Sequence, residues 1–158
     1  MRAKPGIVDT LNRLLTIEVT AVNQYFLQSE IVRNWGYDHL ADRLRAISMG
    51  EMRDIEELVK HILYLEGLPN LQRIDVVKVG ETVLENLELD LESEQAAIEA
   101  LTEGVNLCVE VDDYGTRSRL EEMIRDEETH IDWLETQIEA LGQLGTEQYL
   151  AQQLGTGE

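Results

Sequence analysis

The chain is poor in residues that stiffen, cross-link or neutralise a protein. Two prolines, one phenylalanine and a single cysteine occur among 158 residues. One cysteine cannot form an intramolecular disulfide, so Cys108, on an apolar stripe, is expected to be a buried thiol of a cytosolic protein. So little proline and so few aromatics suit long helices better than a β architecture. Basic residues are scarce too: thirteen Lys and Arg stand against thirty-two Asp and Glu, a formal net charge of -19. That sign is wrong for a nucleic-acid surface or an anionic membrane, so neither partner is expected. It suits cations, provided the acids line an enclosed space. No run of about 18 apolar residues is present to span a bilayer. The opening "MRAKPGIVD" has no apolar segment of signal-peptide type, and a cytoplasmic location is expected.

Hydrophobic residues make up 43% of the chain, enough for a packed core and against disorder. One domain, residues 1–158, is expected at this length. Helical periodicity predicts four long helices over about 5–35, 38–66, 81–112 and 114–141, and a short fifth over about 146–153. Pro5 suits the first turn of the first helix. Gly36, the "GLPN" stretch at 67–70 and Gly142 are the expected stops, and Thr146 can cap the fifth helix. The tail "LGTGE" is expected to be loose. Short links make two antiparallel hairpins. The connection "LQRIDVVKVGET" between them has no helical stripe. Extended, about fifteen residues reach about 45 Å, the length of a helix of about 30 residues. The fold class expected is all-α: a four-helix bundle with one long crossover connection and a short C-terminal fifth helix.

Each helix carries an apolar seam at 3-4 spacing, and each seam is interrupted near its middle by a glutamate, followed in the second by an aspartate. The first seam is Ile7, Leu11, Leu14, Glu18, Ala21, Tyr25. The second is Leu40, Leu44, Ile47, Glu51, Asp54, Leu58. The third is Leu84, Leu87, Leu91, Glu94, Ile98, Leu101, Val105, Cys108. The fourth is Leu120, Ile124, Glu127, Ile131, Leu134, Ile138, Leu141. Taken alone, one glutamate in a stripe is an ordinary surface residue read in the wrong phase. Four at matching depth in antiparallel helices converge on one slice of the core. No Lys or Arg falls in these stripes. Buried like charges need a cation, so Glu18, Glu51, Glu94 and Glu127 are candidate metal ligands. Glu127 brings His130 at i+3, and Glu51 brings Asp54 at i+3, each one turn along the same side. Such oxygen-rich ligation with a little imidazole suits iron or manganese better than structural zinc. Asp126, Glu128, Asp132 and Glu135 are expected to be solvated. His39 is expected at the surface, and His61 in a hydrogen bond rather than on a metal. A second stripe on the second helix, Ser48, Met52, Ile55, Val59 and Ile62, is expected to point out of the bundle as a subunit interface. Met52 alone would usually be a gap filler there.

Several strings resemble the bacterioferritins, the haem-containing branch of the ferritins. They are "NQYFL" (23–27), "NWGY" (34–37), "LEGLPNLQ" (65–72) and "DEETHIDWLE" (126–135), spread over nearly the whole chain. The resemblance implies a ferritin-like bundle that assembles into a hollow shell of two dozen copies and stores iron as a ferric mineral. It implies a ferroxidase: a dinuclear iron centre in which Glu18 and Glu94 are terminal carboxylates, Glu51 and Glu127 bridge, and His130 is a histidine ligand, with Tyr25 close by. It implies haem b at a two-fold interface, held by Met52 of the "GEMRD" motif from each of two chains, and a ferredoxin as electron donor for iron release. The second histidine of the family pattern should stand at 54, where this chain has Asp54. Ala46, Ile47 and Gly50 are likewise non-coordinating. Two readings follow: a ferroxidase with Asp54 among its ligands, or a haem-bearing shell subunit with a weakened centre that co-assembles with a second, complete bacterioferritin subunit. A third, a peroxide-reducing di-iron bundle, would form a dimer rather than a shell.

Overall fold

The computed structural model describes residues 1–155; the last three residues of the expected loose tail, 156–158, lie outside the described residues. The chain forms α1 (Ile7–Asn34), α2 (Asp38–Tyr64), α3 (Val83–Glu110), α4 (Tyr114–Leu144) and α5 (Thr146–Ala151). No helix is long and apolar enough to cross a membrane among the described residues. α1 packs along α2, α3 along α4, α1 also against α3, and α5 folds back on α4.

Local chemistry sets each helix end. Pro5 lies in a turn ahead of α1 rather than in its first helical turn, and Gly6 precedes the helix in the left-handed conformation (φ 79°). α1 stops where Gly36 takes φ 95°, which lets the amides of Gly36 and Tyr37 satisfy the carbonyls of Arg33 and Val32 at 2.9 and 3.2 Å. At the end of α2 the left-handed residue is Glu66 (φ 62°), one before the expected breaker Gly67. Thr82 caps α3 by accepting the Glu85 amide at 3.1 Å, and Asp113 caps α4 by accepting that of Thr116 at 3.0 Å. α4 runs through Gly142, where a stop was expected, and ends at Gly145 (φ 85°). A solvated Gly weakens a helix by about 1 kcal/mol but does not break one.

The crossover, residues 65–82, lies along α1 as an extended strap. Polar side chains spaced four or eight apart on α1 hold its backbone. Asn12 bonds Leu68 and Asn70, Thr20 accepts the Asp75 amide at 2.9 Å, Gln24 accepts that of Lys78 at 3.0 Å, and Gln28 donates to the Lys78 carbonyl at 3.1 Å.

Two apolar clusters fill the bundle. One holds Leu11, Leu14, Leu58, Ile62, Leu101 and Leu120, and the other Val32, Leu40, Leu44, Leu87, Leu134 and Leu141. In sequence, every helix contributes to one cluster before its mid-seam glutamate and to the other after it. Glu18, Glu51, Glu94 and Glu127 therefore occupy the layer between the clusters. Gly104 lets α3 and α4 close up: a Cβ there would lie 2.9 Å from Leu120 Cδ1.

Three expectations need correction. The second stripe of α2 does not face outward. Ser48, Ile55 and Ile62 are buried and Val59 packs against the core, because α2 turns that side to α1; the Ser48 hydroxyl donates to the Val22 carbonyl at 2.8 Å. Of that stripe only Met52 is exposed, at 50%. The α3 seam is shifted: Leu84, Leu91 and Ile98 are half-buried, while Asn86, Asp90 and Ala97 are buried. The start of the tail is docked rather than loose, since the Gly155 amide reaches the Gly36 carbonyl at 3.1 Å.

Candidate metal centre

Each helix supplies one fully buried carboxylate to the middle layer. Glu18, Glu51, Glu94 and Glu127 are each between 1% and 3% exposed. Half-buried Asp54 and His130 complete the layer. Their donor atoms form two overlapping groups: Glu51, Glu94, Glu127 and His130, and Glu18, Glu51, Asp54 and Glu127. Within each group the atoms all lie within 4.8 Å of one another. Glu51 and Glu127 belong to both. This is the geometry of two adjacent cation positions sharing two carboxylates.

His130 Nδ1 lies 3.1 Å from Glu51 Oε1 and 3.4 Å from both Glu94 Oε1 and Glu127 Oε2. It faces three carboxylates at once yet is aligned for a hydrogen bond with none. Six buried atoms of the cluster lack a partner: Glu18 Oε2, both Glu51 oxygens, Glu94 Oε2, Glu127 Oε1 and His130 Nδ1. Leaving so many buried polar atoms unsatisfied is costly. A shared cation satisfies all of them, so the residues present fit a pair of metal ions. Tyr25 orients the layer from beside it, donating its hydroxyl to Glu94 Oε1 at 2.7 Å.

The electrostatics say the same. Burial first, then the Glu51 carboxylate, raises Glu18 well above the ordinary glutamate range. Burial, then Glu94, does the same to Glu127. Burial also opposes the charge on Glu51, but the closeness of the Glu18 carboxyl and the His130 imidazole outweighs it and leaves Glu51 low. Burial opposes the His130 charge, yet Glu127, Glu51 and Glu94 around it push its pKa up to about 12. Burial, with Glu51 and Asp126, lifts Asp54 to about 7. Without a cation the layer must hold protons instead. No Lys or Arg forms an ion pair with these acids among the described residues.

A cavity of about 700 Å³ runs from beneath the crossover to this layer. It is lined by Asp75 and Lys78 of the strap, Thr20 and Gln24 of α1, Glu92 of α3 and the four buried glutamates. Lys78 Nζ pairs with Glu92 Oε1 at 3.5 Å beside it.

The sequence patterning missed a second polar network. Asp90 is fully buried and accepts from Gln24 at 2.9 Å, and Gln24 also reaches Ser93 at 3.2 Å. Burial, moderated by Gln24 and Gln28, lifts Asp90 to about 8. Its position four residues before Glu94 is the signal that could have found it. His61 is buried and joined to Thr116 Oγ1 at 2.8 Å, away from the metal layer, as its hydrogen-bonding assignment requires. Thr116 passes its own hydroxyl proton to Asp113 at 2.7 Å. His39, Asp126, Glu128, Asp132 and Glu135 are exposed, and Cys108 is buried.

A family model described as "Ferritin-like domain" matches residues 8–144. The bacterioferritin of Mycobacterium leprae is 46% identical over 152 residues, 96% of each chain. That of Streptomyces coelicolor is 41% identical over 96% of this chain and 90% of its own. The chain belongs to the bacterioferritins. A solved bacterioferritin from Rhodobacter capsulatus, described with a metal-free dinuclear site and haem iron in a crystallographic special position, superposes with a TM-score of 0.98. It is 34% identical and covers 100% of this chain and 99% of its own.

Proposed function

We propose that the protein stores iron, oxidising Fe(II) at the mid-bundle centre before the ferric product moves into the cavity of a shell of two dozen copies. One observation carries this reading: the two overlapping donor groups that share Glu51 and Glu127. Fe(II) is the substrate. Dioxygen or peroxide takes the electrons. Glu51 and Glu127 hold both ions, Glu94 and His130 complete one position, and Glu18 and Asp54 the other. Tyr25 fixes Glu94 in place. Because four separate helices bring the carboxylates to one layer before any ion binds, the site is preorganised for charge, and electrostatic preorganisation of that kind lowers the barrier.

The family-like haem reading extends this. Met52, exposed on α2, offers its thioether to a haem shared with a second copy, with a ferredoxin as electron donor for release. The haem iron of the Rhodobacter bacterioferritin supports the haem. A second reading rests on Asp54 alone: a haem-bearing subunit with a weakened centre that co-assembles with a complete one. The geometry favours the first, since Asp54 reaches the same ligand group as Glu18, Glu51 and Glu127.

Stopped-flow absorbance after mixing about two Fe(II) per chain in air separates them. The proposal expects a fast phase that Glu127→Ala abolishes. No fast phase in the natural chain, with one appearing in Asp54→His, would establish the weakened-centre reading instead.

A further inference from the structure

The two halves of the centre are not chemically alike. One position is built from Glu51, Glu94, Glu127 and the imidazole of His130. The other is built from Glu18, Glu51, Asp54 and Glu127 and contains no nitrogen. Both share the same two carboxylates, so the difference lies in the unshared ligands. Those of the first position carry one negative charge, from Glu94, beside a neutral donor. Those of the second, Glu18 and Asp54, carry two.

Ligand type and charge sort cations. Imidazole suits borderline divalent ions such as Fe(II), Co(II) and Zn(II). A set of carboxylates alone suits hard ions: Mn(II), or a trivalent ion. Charge balance points the same way. The five carboxylates of the centre are neutralised by one divalent and one trivalent cation together. Four carboxylates, as a second histidine at 54 would leave, match two divalent cations. Burial sharpens the distinction, because uncompensated charge in a dry layer is costly. Glu18 is 2% exposed, and its Oε2 has no hydrogen-bond partner.

We propose that the two positions are unequal and select different cations: a borderline divalent ion at the His130 position, and a hard ion, Mn(II) or trivalent, at the Asp54 position. The inference rests on the di-metal reading above and adds the identity of what each half prefers. In iron turnover it means that the ferric ion is held longest between Glu18 and Asp54.

The test uses the full-length assembled protein, stripped of metal with a chelator, and two probes that need no turnover. Co(II) is titrated by calorimetry and by its visible absorption, and Mn(II) by calorimetry and electron paramagnetic resonance. The inference expects two Co(II) steps differing in affinity by about tenfold or more. It expects the preference for Co(II) over Mn(II) to be large in the first step and about tenfold or more smaller in the second. One equivalent of each metal then yields a spin-coupled mixed pair. Asp54→His should merge the two Co(II) steps and restore the Co(II) preference at both. Asp54→Asn, which keeps the shape and removes the charge, should weaken only the second step. Two equal Co(II) steps with the same preference at both positions in the natural chain would overturn the inference while leaving the di-metal centre standing. Failure of both ions to bind would overturn that centre as well.

Discussion

At the scale of single residues, the protein concentrates unfavourable burial in one layer and satisfies it only with cations or protons. Glu18, Glu51, Glu94 and Glu127 were legible because each is a charge in an otherwise apolar seam. Asp90 was not, because Leu84, Leu91 and Ile98 drew the α3 stripe partly into the wrong phase. Gln24 and Gln28 were hidden for another reason. Their partners are Asp90 and the backbone of Lys78, and a segment without periodicity gives no hint of where its amides will lie. Met52 is the converse case: its spacing places it with core residues, yet it alone of its stripe is exposed. Two outcomes follow at this scale. Tyr25→Phe removes the hydroxyl that donates to Glu94 and leaves that carboxylate short of a buried donor. Urea unfolding of the metal-free protein should show a loss of about 1–3 kcal/mol. Asp90 titrates in the folded chain at about 8, against an ordinary 3.8. A group raised in this way binds its proton more tightly when folded. Its stabilisation is complete below the unfolded value and fades as pH rises through the folded one. Asp90→Asn should therefore gain more stability relative to the natural chain at about pH 9 than at about pH 5, and least below about pH 4, read from urea midpoints at each pH.

At the scale of elements, the helices themselves were readable because long 3-4 periodicity and cap residues agree. Their ends were less so. α2 and α3 end on Glu66 and Asp112 in the left-handed conformation, φ 62° and 58°, rather than on glycines. The misreading of the second α2 stripe has a physical basis as well. A helix packed closely along a neighbour in a bundle buries more than one stripe, so the apolar surface of Ile55 and Ile62 is core rather than interface. α3 comes close to α4 at Gly104, and Leu120 fills the space opposite. Leu120→Ala should cost about 2–5 kcal/mol. Gly104→Ala should cost about 1–3 kcal/mol by overpacking, and calorimetric melting of the two variants reads both. The crossover has few apolar anchors and depends on the polar side chains of α1. Replacing Thr20 and Asn12 together by Ala should speed amide hydrogen exchange within residues 68–78 while exchange in the helix cores stays as it was.

At the scale of the whole molecule, the bundle is two apolar halves clamped around an acidic layer, in a chain already carrying a net charge of -19. Any cation that binds there only in the folded state stabilises that state by mass action. At about 100 times the dissociation constant, one site adds about 2.7 kcal/mol. The metal-stripped protein should accordingly melt lower than the loaded one, and Glu18→Gln with Glu127→Gln should erase that difference. The central claim is that carboxylates from all four helices meet at mid-height to hold two metal ions. Diffraction from crystals soaked in Fe(II), recorded at the iron absorption edge, tests it most directly. Two anomalous peaks per chain are predicted, both in contact with Glu51 and Glu127, one also with Glu94 and His130 and the other with Glu18 and Asp54. A map with no anomalous peak among these side chains, and iron bound only at surface acids, would contradict it.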